Sequence, residues 1–239
     1  MSVSTPVARR EFPGTMQSRD KTIRDALAAN DLAAVVSLAK TDRKALSCLV
    51  RISYDKDTLA GWRAIKAMGL IARELLEIDI VFLRETCRRL LWSISDESGG
   101  IGWSAPELLG EIVSAAPGRF PDITPLIVSV YDAEEVTFRP GVLYALQRIA
   151  EASPLSAVPY ADILLRGMRE KDPLARVHAL EAFCVIAQYV KGPELSAFKE
   201  ALPALLKDTT EVIIYKENDF THCEVSQSAS KLSRLISGS

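Results

Sequence analysis

The sequence predicts an all-α chain, a superhelix of stacked helix pairs, and three observations carry that prediction. Apolar residues recur at helical spacing along most of the 239 residues, strand-like runs are nearly absent, and one helical segment returns at a spacing close to 40 residues. The aligned copies are DTLAGWRAIKAMGLIA from Asp57, SGGIGWSAPELLGEIV from Ser98, EVTFRPGVLYALQRIA from Glu135 and DPLARVHALEAFCVIA from Asp172, with a degenerate copy in CEVSQSASKLSRLIS. Two helices per period of about 40 residues define an α-solenoid, because one pair cannot bury its apolar face alone and must share a core with its neighbours. About five such pairs are expected, over residues 20–239, preceded by a solvated tail over residues 1–19.

Taken in order, the N-terminal MSVSTPVARREFPGTMQSRD lacks the apolar stretch of a secretory signal. TLAGWRAIKAMGLIARELLEI places Ile65, Met68, Ile71, Ala72, Leu75 and Leu76 on one helical face and Arg63, Lys66, Arg73 and Glu77 on the other. The same rhythm continues through VFLRETCRRLLWSI, PELLGEIVSAA, VLYALQRIAEA, YADILLRGMRE, HALEAFCVIAQYV and ELSAFKEALPALL. Strand structure is expected, if anywhere, in EVIIY at 211–215. Ser104 to Glu107 reads as a capping box, the Ser104 hydroxyl accepting from the Glu107 N–H and the carboxylate reaching back. Pro106 suits a first turn, and Trp103 and Leu108 have the spacing of a hydrophobic staple.

DPLARVHALEAF resembles the HEAT repeat, in which an acid precedes an Arg by four residues and a small residue follows three later: Asp172, Arg176 and Ala179. EVTFRPGVLYAL repeats the pattern with Glu135, Arg139 and Val142. The likeness is closest to the short bacterial HEAT-like repeats of phycobilin lyases, an armadillo-like α-solenoid type, and spans roughly Asp20 to Ser237. It implies a curved stack with the second helix of each pair on the concave side. It also implies that Glu135, Arg139, Asp172 and Arg176 form structural ion pairs holding neighbouring turns. At the Arg position the first two copies carry Gly61 and Gly102 instead, each followed by a tryptophan, Trp62 and Trp103. Whether these tryptophans belong to the core or the groove stays open.

Composition excludes several functions. A net charge of −2 argues against a nucleic-acid binder, whose affinity comes from clustered Lys and Arg. No apolar run of membrane-spanning length is present. The cysteines, Cys48, Cys87, Cys184 and Cys223, are widely separated, and only two histidines exist, so neither a metal site nor a cofactor is expected. Free thiols fit a reducing cytoplasm.

Repeat register supplies the candidate surface. Lys66, Glu107, Tyr144 and Glu181 are equivalent, as are Arg63, Ser104, Gly141 and His178, and Arg148 is equivalent to Glu111. Rows two repeats apart lie some 20 Å apart at about 8–10 Å per helix, too far for Glu107 and His178 to share a metal. Capping accounts for Ser104, Pro106 and Trp103, which leaves Asp96, Glu97 and Glu111 as surplus acids at a groove rim. The expected function is a non-catalytic scaffold. Its groove and rim residues Asp96, Glu97, Trp103, Glu107, Glu111, Tyr144, Arg148, His178 and Glu181 would bind a protein or peptide, steered if that partner carries a basic segment. The alternatives are an enzyme or enzyme accessory of bilin-lyase-like type, and a small-ligand or cation binder using the acids between Asp96 and Glu111.

Overall fold

The structure, a computed structural model, describes residues 16–94 and 103–237. Helix α1 (Met16–Ala28) starts inside the segment assigned to the tail, four residues before Asp20. After α2 (Leu32–Thr41) and α3 (Lys44–Ser53) come α4 (Leu59–Leu75), α5 (Ile80–Ile94), α6 (Ala105–Ala115), α7 (Ile123–Ala133) and α8 (Arg139–Ala152). A four-residue turn of helix, α9 (Pro154–Ala157), precedes α10 (Ala161–Gly167), α11 (Pro173–Ile186) and α12 (Pro193–Leu205). The chain ends with strands β1 (Glu211–Lys216) and β2 (Asp219–Glu224) and helix α13 (Val225–Ser237).

The repeated segments form the inner wall. Helices α4, α6, α8, α11 and α13 pack each on the next, while α3, α5, α7, α10 and α12 lie behind them. Each inner helix buries apolar residues towards both its neighbours and its outer partner: Ile65, Met68 and Ile71 of α4, Leu108 and Ile112 of α6, Leu143, Leu146 and Ile149 of α8, and Leu180, Phe183 and Ile186 of α11 are wholly inaccessible. Among the described residues no helix is long and apolar enough to cross a membrane.

Local chemistry sets the starts of these helices. Thr58 caps α4 by accepting from the Gly61 N–H at 3.2 Å, and Asp172 caps α11 by accepting from the Leu174 N–H at 2.8 Å. At Gly61 a side chain has no room, because a Cβ would fall 1.9 Å from the Asp55 carbonyl oxygen. The turn before α4 therefore occupies the space that an Arg fills in later repeats.

The ion pairs differ from the expected acid–Arg pairing. Asp172 serves as a cap, and Glu135 is exposed and makes no ion pair among the described residues. Arg139 instead meets Glu170 at 2.9 Å, donates to the Tyr131 carbonyl at 3.2 Å and lies over the Tyr131 ring. Arg176 lies 2.9 Å from Asp208 and donates to the carbonyls of Glu170 and Lys171 at 2.7 and 2.9 Å. Each Arg thus reaches an acid in the turn of the following repeat. The physical reason is reach: a guanidinium at the start of an inner helix has the next turn beside it, whereas the acid four residues earlier is spent on capping or faces solvent.

The second correction concerns strand structure. The β1 run continues into a hairpin, with Tyr215 opposite Phe220 and Lys216 opposite Asp219. Its two-residue turn, Glu217–Asn218, has φ of 53° and 69°, the left-handed pair of a type I′ turn that matches strand twist. Strand β2, DFTHCE, escapes sequence reading because it lacks apolar alternation and its turn lacks glycine.

Replacing Arg139 or Arg176 by Ala should cost about 1.5–3 kcal/mol, the scale of hydrogen bonds to charged groups. Thermal melting and amide exchange should show the loss concentrated in α8–α11 for the first and α11–α12 for the second. An unchanged melting temperature would make these arginines mere surface charges.

Candidate functional site

The groove is built around a buried carboxylate. Glu111, 3% exposed, stands in the middle of α6 and accepts from three side chains: Lys66 of α4 at 2.7 Å, and Tyr144 and Arg148 of α8 at 2.6 and 2.8 Å. Burial alone raises its pKa, and the charges of Lys66 and Arg148 outweigh that, holding the carboxyl below its ordinary value. Lys66 responds oppositely: burial lowers its pKa more than Glu111 restores. The carboxylate, with two partners of opposite charge, carries the clearer direction. Glu107, one turn earlier and equally buried, takes Lys56 at 2.7 Å. Both carboxylates need glycine opposite them, since a Cβ at Gly69 would lie 2.6 Å from Glu111 Oε2 and one at Gly141 would lie 2.7 Å from Glu107 Oε2.

These partners correct three sequence readings. Glu111 is not a surplus rim acid; it faces Arg148 as expected but is consumed inside the wall. The capping box does not form, because the Ser104 hydroxyl donates to the Ser53 carbonyl at 2.5 Å and the Glu107 carboxylate turns to Lys56. Trp103 is 43% exposed and stacks on Phe138 with ring centroids 6.2 Å apart, while Leu108 is wholly buried. Asp96 and Glu97 lie outside the described residues.

Beside the carboxylates runs an aromatic row. Trp62 gives its indole N–H to the Lys56 carbonyl at 2.9 Å and meets Tyr144 edge-on at 5.3 Å; Tyr144 in turn meets His178 edge-on at 5.3 Å. The hairpin folds onto this row. Tyr215 stacks on Trp62 at 5.7 Å and 5°, and the turn carbonyl of Asn218 lies 3.5 Å from the Arg63 guanidinium. Arg63 also donates to the Leu27 and Ala28 carbonyls at the end of α1, so one side chain joins the first helix, the inner wall and the hairpin tip. Trp62 is therefore both core and groove wall. Glu181, on α11, is held by Ser228 at 2.8 Å and by Lys231 of α13.

The hairpin divides the groove into two cavities. The larger, about 610 Å³, lies on the side of Ile214, Thr221 and Cys223 and is walled by Lys66, Arg148, Glu181 and Lys231. The smaller, about 430 Å³, lies on the side of Ile213 and Phe220. Trp62, Pro140 and Leu174 supply its remaining apolar walls, and Lys56, Asp57, Glu107 and His178 its polar ones. Glu107 and His178, separated by two repeats in the register argument, share this cavity. Sequence reading left Lys56, Ile213, Tyr215 and Phe220 outside the site; the apolar EVIIY run was a signal for Ile213 and Tyr215, and nothing in the sequence marked Lys56 or Phe220.

Two titration features bear on chemistry. Burial, then the charges of Lys56 and Lys66, lowers His178 to about 3, so the ring is neutral and its Nδ1–H donates to the side-chain oxygen Oε1 of Gln147 at 2.8 Å. Burial raises Cys48 to about 11 and Cys87 and Cys184 to about 12, and raises Cys223 as well, which keeps these thiols protonated at neutral pH and weak as nucleophiles.

No family model matches the chain, and a comparison with characterised proteins finds no match. Among solved structures, an engineered protein is similar over 95% of this chain and 93% of its own, at 17% identity and a TM-score of 0.55. A designed armadillo repeat protein matches 94% of this chain and 95% of its own, at 17% identity and a TM-score of 0.54. Computationally designed armadillo repeat proteins for modular peptide recognition match 92% and 94%, at 16% identity and a TM-score of 0.53. The fold is an α-solenoid resembling these designed armadillo repeat structures.

Glu111→Gln should destabilise by about 3–5 kcal/mol, because Lys66 would keep its largely buried charge without a counter-ion and Arg148 would keep only Glu151; chemical denaturation checks this, and a loss below about 1 kcal/mol would show that the charges relax into water. His178 adds a pH dependence. Its folded pKa of about 3 lies below the unfolded value of 6.5, so the unfolded state binds the proton first and stability falls as pH drops from 6.5 towards 3. The slope is about 1.4 kcal/mol per pH unit. Melting temperatures between pH 6.5 and 5, where most carboxylates stay ionised, should fall in the wild type and flatten in His178→Gln.

Proposed function

We propose that the chain is a non-catalytic binding scaffold that receives an extended protein or peptide segment along the groove, beside the hairpin. The observation that carries this reading is the composite groove itself: helices α4, α6, α8 and α11 on one side, the hairpin on the other, and cavities on both hairpin faces lined by aromatic and charged side chains. Extended solenoid faces suit segments that thread past several repeats. The similar designed armadillo proteins made for modular peptide recognition support a peptide as the partner. Of the groove residues read from sequence, Glu107, Tyr144, Arg148, His178 and Glu181 line these cavities, and Trp103 sits on the exposed flank. The raised thiols and the ion-paired Glu107 and Glu111 give no specific support to a bilin-lyase-like activity.

A random peptide library displayed on phage tests this. Selected peptides should bind the wild type and lose about tenfold or more in affinity against Ile213→Glu and Leu174→Glu, which place an unpaired charge on apolar groove walls. The helicity of both variants should match wild type. Peptides whose binding ignores these changes and maps to α5 or α7 would place recognition on the outer face and end the proposal.

A further inference from the structure

The smaller cavity has an uneven chemistry that specifies its occupant. Its walls are apolar and partly aromatic: Trp62 and Phe220 supply ring surface, and Ile213, Pro140 and Leu174 supply aliphatic surface. Its polar groups divide sharply. Most donors are committed: the Lys56 ammonium gives two of its three N–H groups to Glu107 Oε1 at 2.7 Å and the Trp103 carbonyl at 3.2 Å, and the Trp62 indole N–H goes to the Lys56 carbonyl. The groups without a partner among the described residues are all acceptors. Glu107 Oε2 is buried with no hydrogen bond. Histidine 178 gives its Nδ1 proton to Gln147, which leaves Nε2 with a lone pair. Asp57 is exposed at the mouth and makes no ion pair among the described residues. Lys56 offsets one of the two carboxylates, so the lining keeps a net charge of −1 (one ammonium against Glu107 and Asp57).

A buried acceptor without a protein donor is costly. We propose that this cavity holds a guanidinium or alkylammonium group on an apolar stem, the end of a basic side chain in the segment proposed above. The cationic head meets Glu107 and His178, the stem lies against Leu174 and Ile213, and Trp62 and Phe220 border the site with aromatic surface. The larger cavity is a poorer host for the same group. Its acids Glu181 and Glu151 already hold Lys231 and Arg148, and although Glu217 is a third acid, Lys66 and Lys216 bring the lining to a net charge of +1 (four cations against three acids).

This inference rests on the binding-scaffold reading and adds the class of side chain to it. The test is titration of the full-length protein with an acetyl-Ala-Arg-Ala-amide peptide, its citrulline counterpart and agmatine, read by calorimetry and by the indole N–H resonance of Trp62. The arginine peptide should bind saturably and shift Trp62, whereas citrulline, of the same shape without the charge, should not. Glu107→Gln and Asp57→Asn should each weaken binding by about tenfold, one charge-assisted hydrogen bond's worth. Agmatine binding with no response to the peptide would overturn the peptide origin and assign the cavity to a free cationic metabolite. Equal binding of the citrulline peptide, or no shift of Trp62 with either cation, would overturn the proposal. If Glu107→Gln fails to fold, Asp57→Asn and the citrulline comparison decide alone. Library peptides that still bind the groove while these probes fail would sink this inference and leave the scaffold reading standing.

Discussion

The Glu111 carboxylate joins three successive inner helices at one point, taking Lys66 from α4 and both Tyr144 and Arg148 from α8 while itself standing on α6. Removing a carboxylate from water costs several kcal/mol unless its charge is met and its lone pairs are used. That penalty acts as a gauge of register. If α6 slid by a residue against either neighbour, the carboxylate would leave its donors or strike a side chain where Gly69 now gives it room. Hydrophobic packing alone tolerates such slips better, because leucine and isoleucine faces are interchangeable at low cost. The charged knot therefore fixes what the apolar core leaves loose. The row of Trp62, Tyr144 and His178 is aligned as a consequence.

That alignment gives the hairpin its seat. A two-stranded hairpin has no stability of its own in water and needs a surface to cover. Here the surface is Trp62, on which Tyr215 lies flat, with Arg63 at the tip. A repeat protein normally has contacts only between neighbouring units. The hairpin breaks that rule, since Arg63 and Asn218 lie 155 positions apart in the chain. The solenoid consequently behaves at its groove as a closed unit rather than as a string of separable pairs.

The sequence made the repeats legible and the polar pairing illegible, for one reason. Periodicity reports which face of a helix is apolar, so the four aligned copies coincide with α4, α6, α8 and α11. It says nothing of what lies across the interface. Glu107 and Glu111 read as one cap and one surplus charge because their partners Lys56 and Lys66 lie 51 and 45 positions earlier. Arg139 and Arg176 were matched to acids within their own motif, and the structure pairs them with the next turn instead. Trp62 could not be assigned to core or groove because it serves both, buried by a hairpin whose second strand carries too little apolar alternation to be read. The site was thus legible by position on the inner wall and not by the role of each side chain.

The two cavities follow from the same geometry and differ in what they can contribute to binding. A fin standing on the aromatic row presents alternate side chains to opposite sides, since successive residues in a strand point opposite ways. Ile213 with Phe220 faces one cavity, and Ile214 with Thr221 faces the other. The larger cavity is walled by ion pairs that already satisfy one another, so a ligand there must strip water from charges and gains little in return. The smaller offers apolar surface with acceptors still unmet, where each new donor removes an existing cost. Affinity should therefore concentrate on the Ile213 face of the hairpin, and the opposite face should act mainly to hold the fin upright.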